Sequence, residues 1–496
     1  MKKIISFIII CSLIVIFKSI SYSEEYKIIV MPFDKLNKEQ NSDLETLTYG
    51  ISETLSGALA NVKNFIVIDT SRIKKHLLEN AEFSQVVGES DEKYIEKLRK
   101  LTQDKFDGDY LIYGSFNKIG NQILLNAKFC KIDTGKIIKA VSVHGQYPDK
   151  IFDLQDDLAN KIIATINGTP IDSQNTAVNG YINSTVNYTA YQLYLKGRNE
   201  FLKYNFVNYP KAIEYFNKAI QLDKNFALAW SGMSEVNALW GYQLKLLGKN
   251  YKPKLKDAVE QGKKSVSLNG NIFQTHKALS IAYMLSEDFT KAGQAIKPAY
   301  ALNENDAEIQ WVKASLINFG YKSIGTPGSE ANKYIMRSLK LNPDLIVARW
   351  SLGHSYEILG KNDEALSEYN KILAINPNHA TSLLTIAIIY YKQKDYTKVI
   401  DYSKRSIQNN PEAYDAFYML GIGYYSLKDW VNAEKNLRES IRLRPDYTNS
   451  IFYLGVSLYK QEQYKEARDY FKLVQQYKSD YPEAKKWEKF AEDKMK

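Results

Sequence analysis

The sequence predicts two parts of different fold class: an N-terminal α/β domain, a mixed sheet flanked by helices, and behind it an all-α superhelical solenoid. Two observations carry this. Up to residue 167, short apolar runs alternate with amphipathic stretches, and farther on the prolines of LKLNPD, LAINPN, IQNNPE and IRLRPD (Pro343, Pro377, Pro411 and Pro445) recur every 34 residues. A chain of 496 residues is too long for one ordinary core. A repeat array relaxes that limit, because each unit packs only on its neighbours.

The first 23 residues, MKKIISFIIICSLIVIFKSISYS, read as a signal peptide. Lys2 and Lys3 precede an apolar run from Ile4 to Phe17, and small residues follow at Ser21 and Ser23. That run is shorter than the roughly 20 residues a spanning helix needs, which disfavours a retained anchor. Ile10 stands where a lipid-attachment site at Cys11 needs a small residue. The expected location is therefore the periplasm or cell envelope. Without the leader's three lysines the net charge falls from +10 to +7. Cys130 is then the single thiol, so packing rather than disulfides must hold the protein together, and Cys130 itself reads as a small buried strand residue.

In residues 24–167, YKIIVMPF and NFIVIDT read as buried strands, DYLIYGSFNKIG with NQILLNAKFCKID as a hairpin or meander, and KIIKAVSVHGQ as a further strand. Helical periodicity fills 41–62, 71–80 and 91–105 and returns in IFDLQDDLANKIIATI. Residues 168–189 are polar, contain Gly, Pro and Asn, and form a linker. Acidic side chains outnumber basic ones before this linker, and basic ones dominate after it. IIVMPFDKL, NFIVIDTSRIKKHL, FDGDYLIYGSF, IDTGKII and IFDLQDDLANKI together resemble the TolB amino-terminal-like domain, related to the CsgG family. The resemblance implies a role in envelope recognition or assembly. No propeller follows, and no channel-forming segment of the CsgG type is evident.

Aligned on the prolines, Leu352, Gly353, Tyr356 and Ala365 recur as Leu420, Gly421, Tyr424 and Ala433, and as Ile386, Ala387, Tyr390 and Val399. Small residues let two helices approach, larger ones fill the seam, and proline stops each pair because it lacks an N–H. This pattern resembles the tetratricopeptide repeat (TPR). The frame extends to Glu304, Gly270 and Lys224, where proline is absent. Two insertions, KSIGTPGSE and GYQLKLLGKNYKPKLK, read as loops. About eight repeats are expected over residues 190–481, with a C-terminal capping helix at 482–496.

The resemblance implies a concave groove lined from the second, fifth, ninth and twelfth places of each repeat. Those places hold Trp311, Trp350, Leu384, Tyr418 and Phe452, then His354, Ile388, Ile422 and Val456, then Tyr391, Tyr425 and Tyr459. The expected groove is aromatic and suits an apolar or aromatic-bearing segment of a protein or peptide partner; the competing reading is that these side chains pack on one another or on a second copy. Nothing calls for a cofactor or metal. HExxH, GxSxG and Walker motifs are absent, and the five histidines are scattered singly. GIGYY at Gly421 lies within a repeat helix, and Asn183 heads a common glycosylation triplet. The function expected is a non-enzymatic scaffold. An accessory factor of envelope assembly or secretion, or an enzyme with an unrecognised site in the α/β domain, stands as the alternative. Dispersed charge gives no specific nucleic-acid reading.

Overall fold

The computed structural model describes residues 25–36, 42–60, 65–68, 108–148, 150–167, 187–320 and 329–496, with 62, 73, 96, 99–100, 106 and 185 between them. The signal peptide, nearly all of the expected helices at 71–80 and 91–105, Asn183, nearly all of the linker and most of KSIGTPGSE lie outside the described residues. The chain divides into two compact units, Met1–Ile182 and Asn183–Lys496.

The first unit is built on strands β1 (Tyr26–Val30), β2 (Asp34–Lys35), β3 (Phe65–Val67), β4 (Tyr110–Ile119), β5 (Gln122–Lys131) and β6 (Ile137–Gln146). Their order is β3-β1-β4-β5-β6, with β2 beside β4. β1 runs parallel to β3 and β4, whereas β4, β5 and β6 form an antiparallel meander, which makes the sheet mixed. Helix α1 (Ser42–Ala60) packs on β1 and β3, and α2 (Ile151–Asn167) packs on β5, β6 and α1. Alternation along β1 sends Ile29 and Met31 to one cluster with Leu111, Tyr113 and Cys130. Burial pushes the Cys130 thiol up to about 11, so it is held as a packed apolar group.

The second unit is helical throughout. Its pairs are α3 (Tyr188–Phe201) with α4 (Tyr209–Leu222), α5 (Ala227–Leu246) with α6 (Lys252–Leu268), α7 (Phe273–Leu285) with α8 (Phe289–Leu302), and α9 (Ala307–Gly320) with α10 (Ser329–Leu341). Then follow α11 (Ile346–Ile358) with α12 (Asn362–Ile375), α13 (Ala380–Lys392) with α14 (Tyr396–Asn409), α15 (Tyr414–Ser426) with α16 (Trp430–Leu443), and α17 (Thr448–Lys460) with α18 (Tyr464–Tyr477). Helix α19 (Pro482–Met495) closes the array against α18. The first helices of most successive pairs touch one another directly, so they form the inner wall. Glycines permit the closeness within a pair: a Cβ on Gly353 would lie 2.8 Å from the Tyr369 ring, and one on Gly455 would lie 2.7 Å from Phe471.

Two turns repeat through this unit, and both have a local cause. Between pairs, the residue one place before the proline position caps the turn with its own side chain. Asp223, Asn269, Asn303, Asn342, Asn376 and Asn410 each accept from the backbone N–H two residues on, at 2.9–3.3 Å. This Asx turn explains why the frame survives at Lys224, Gly270 and Glu304, where no proline stands. Within pairs, the first helix ends on a left-handed residue: Gly248, Glu287, Gly360, Lys394, Lys428 or Glu462. Asp288, Asp395 and Asp429 follow as N-caps of the second helix.

GYQLKLLGKNYKPKLK is mostly helix rather than loop, because α5 runs on to Leu246 and α6 starts at Lys252. Leu244, Lys245 and Leu246 favour helix, and nothing breaks it before Gly248, whose φ of 69° only glycine adopts freely.

Candidate functional site

The inner wall carries two surfaces of opposite character, and both are set by which residue the first helix of each repeat places inward. In the C-terminal half they are aromatic. Trp311 donates from Nε1 to Ser351 Oγ at 3.1 Å, which ties α9 to α11. Trp350 stacks on His354 at 5.1 Å, and the His354 ring stays exposed. Leu384 lies in an apolar cluster with Leu247, Phe206, Tyr414 and Tyr447. Tyr418 fits between Tyr447 at 5.2 Å and Tyr453 at 6.2 Å, and Tyr425 meets Tyr453 at 5.1 Å and Trp430 at 5.3 Å. Tyr391 keeps 37% of its surface open and rests its ring on Tyr396.

Two expected groove residues are engaged otherwise. Phe452 is only 8% exposed and packs among Tyr453, Phe471 and Tyr481, which makes it a core residue. Tyr459 packs on Tyr464 and on Trp487 of α19, so the capping helix has taken its face. Conversely, Tyr453 and Tyr481 belong to the tyrosine group although they occupy none of the four groove places. The hydroxyls of Tyr391, Tyr418, Tyr425, Tyr453 and Tyr481 are all pushed above the usual tyrosine pKa, first by burial and then by one another. They are neutral groups at neutral pH that can both donate and accept.

The N-terminal half is charged instead. Arg198 of α3, Glu235 of α5, Lys277 of α7 and Glu308 of α9 form a ladder of alternating sign across four successive repeats. Arg198 Nη1 lies 2.6 Å from Glu235 Oε2, Lys277 Nζ lies 3.6 Å from Glu235 Oε1, and Lys277 also pairs with Glu308. Tyr204, from the α3–α4 connection, donates to Glu308 Oε1 at 2.9 Å. Lys277 and Glu235 are each 3% exposed, so the pairing compensates a real desolvation cost. Burial works against the Lys277 ammonium, but Glu235 and Glu308 outweigh it and hold the pKa above the usual lysine value. Burial likewise opposes the Glu308 carboxylate, yet Lys277 and Arg198 carry its pKa down to about 2. Burial raises Asp306 beside them, and Lys277 only partly offsets it.

The ladder was within reach of the frame. Counted from Lys224, Gly270 and Glu304, a ninth place is Glu235, a fifth is Lys277 and a second is Glu308. In the proline-bearing repeats the fifth places are instead Trp350, Leu384, Tyr418 and Phe452, and the ninth places are His354, Ile388, Ile422 and Val456. Among the described residues no group of three or more His, Cys, Asp or Glu side chains could hold a metal ion. No described helix is long and apolar enough to cross a membrane.

The superhelix also meets itself. Leu247, Ala413, Tyr414 and Ala416 form one buried cluster, against which Phe206, Leu384, Ile407, Leu443 and Tyr447 pack. Asn376 Nδ2 donates to Lys203 O at 2.9 Å, and Lys249 Nζ lies 2.5 Å from Glu412 Oε2. The connections of the first two pairs therefore rest on the sixth, seventh and eighth.

A tetratricopeptide-repeat family model matches residues 418–482, and the model of subunit 3 of the anaphase-promoting complex, cyclosome, matches 359–440. The helix pairs within residues 418–482 are thus tetratricopeptide repeats. Over 212 residues the chain is 23% identical to the anaphase-promoting complex subunit CDC16 of Saccharomyces cerevisiae, covering 40% of this chain and 23% of that protein. Over 70 residues it is 31% identical to anaphase-promoting complex subunit 3 of Schizosaccharomyces pombe, covering 14% of this chain and 10% of that one. The chain thus spans less than a quarter of either curated relative. Among solved structures, the Cut9–Hcn1 hetero-tetramer overlaps with a TM-score of 0.47 at 13% identity, over 70% of this chain and 64% of that one. PilF of Pseudomonas aeruginosa overlaps with a TM-score of 0.40 at 11% identity, over 43% and 96% respectively.

Proposed function

We propose that this chain is an exported, non-enzymatic scaffold of the cell envelope that holds an apolar or aromatic-bearing protein segment against the inner wall of its sixth to eighth repeats. TPR arrays are protein–protein interaction scaffolds, and that much follows from the repeats themselves. The finer reading rests on one observation, the convergence of Tyr391, Tyr418, Tyr425, Tyr453 and Tyr481. Such rings offer large contact area at low entropy cost, and their hydroxyls supply hydrogen bonds to a bound backbone. Export is the reading of residues 1–23, and the TolB-like resemblance of the first unit is in keeping with an envelope role.

The test is affinity capture from the envelope fraction with the parent chain and with Tyr391→Ala/Tyr418→Ala. Losing two central aromatic anchors costs about 2 kcal/mol or more, a drop of roughly 30-fold in affinity. Unchanged capture by a variant whose helical circular dichroism matches the parent's refutes the groove.

A further inference from the structure

Among the described residues the extension of α5 has no counterpart in the other repeats, and it ends in the self-contact of the superhelix. Its last turn and the connection behind it place Leu247 in the cluster with Ala413, Tyr414 and Ala416. Gly248 lies against the Arg444 side chain, whose guanidinium donates to Tyr414 Oη and covers the Tyr414 and Tyr447 rings. Phe206 arrives from the α3–α4 connection into the same cluster. The seat of these two connections is continuous with the tyrosine group, since Tyr447 touches Tyr414 at 4.9 Å and Tyr418 at 5.2 Å. Leu384 belongs to the seat and to a predicted groove place alike.

We infer that the Leu247–Asn250 connection and Phe206 form an internal latch, which closes the superhelix over one end of the tyrosine-lined wall and must lift for a partner segment to lie along it. The inference rests on the proposed function and names the regulation of that same site. Its composition suits a reversible contact. Leu247 and Phe206 are its apolar anchors, Lys249 and Glu412 are a half-exposed ion pair, and Asn376 to Lys203 is one hydrogen bond. A permanent core joint normally buries many more apolar side chains than this. The latch competes directly with a ligand, because Leu384, Tyr414 and Tyr447 cannot be covered by Leu247 and by a bound segment at once.

The test uses the full chain and no partner. Leu384→Cys places a thiol in the seat, and its maleimide labelling rate is compared with Leu247 intact and with Leu247→Asp. Release should speed labelling roughly tenfold or more, the factor that ~1.4 kcal/mol represents. Small-angle scattering should show a larger radius of gyration with helical circular dichroism unchanged. If Leu247→Asp disturbs folding, Lys249→Glu and Glu412→Lys serve instead: each alone should speed labelling, and the two together should restore the slow rate. Equal labelling rates with an unchanged radius of gyration overturn the latch. Since no partner enters the assay, failed capture refutes the proposed function without touching this result.

Discussion

Replacing Lys277 with methionine tests the charged ladder most directly. The methionine fills similar volume, but it leaves Glu235 and Glu308 facing one another where one ammonium had separated them. Arg198 still neutralises Glu235, and Tyr204 still donates to Glu308, so the uncompensated charge is about one buried carboxylate. Breaking a buried pair in this way costs about 3–5 kcal/mol. Urea unfolding followed by circular dichroism should show this loss in the phase belonging to the first four repeats, because a solenoid unfolds in nearest-neighbour units. The pH dependence gives the sharper sign. In the parent, Glu308 has a folded pKa of about 2, below its unfolded value, so its contribution is full at neutral pH and is lost as pH falls through the acid range. In Lys277→Met the folded pKa of Glu308 rises above the unfolded value, so the variant should gain stability relative to the parent as pH drops from 7 toward 4. A loss under about 1 kcal/mol, or an acid profile parallel to the parent's, refutes the ladder as a stabilising unit. Lys277→Met/Glu308→Gln should recover much of the loss, because removing both partners is far cheaper than removing one.

Lys428 holds a φ of 64°, so Lys428→Gly should raise the melting temperature through a gain of about 1 kcal/mol, and Lys428→Val should lower it. Glu357 is held down to about 2 by His354 and Lys392 against the cost of burial, which makes its contribution full above the ordinary glutamate range and lost toward pH 2. Glu357→Gln should accordingly flatten the acid limb of the stability profile measured by thermal melts. Gly455→Leu should cost about 1–3 kcal/mol or more in urea unfolding, because its Cβ alone falls 2.7 Å from the Phe471 ring; a neutral result shows that α17 can move away from α18.

The repeats were legible because their signals are local. A proline, an Asn or Asp one place before it, and small residues at fixed offsets each act within a few residues of themselves, so one sequence exposes them. The antiparallel meander of β4 to β6 was legible for the same reason, since short turns join adjacent strands. The extension of α5 was not legible, because its polar residues, Gly241, Gly248 and Pro253 read as a loop, whereas helix propensity carries the chain on to Leu246. Place alone assigns Phe452 and Tyr459 to the groove, and it cannot show that Tyr481, at the cap of the last helix, and Trp487 within it cover them.

By itself, the sequence determined the helix pairs, their turns and the type of side chain at each inward place. Which of those side chains meet was decided by the tertiary structure. Arg198, Glu235, Lys277 and Glu308 are drawn from four repeats with unequal spacings, and Leu247 reaches Tyr414 only after the superhelix has completed its turn. Local preferences set the rotation between one repeat and the next, and small rotations accumulate along a solenoid. Contacts between residues 104 or 173 positions apart, such as Tyr204 with Glu308 and Lys203 with Asn376, are the outcome of that accumulated rotation.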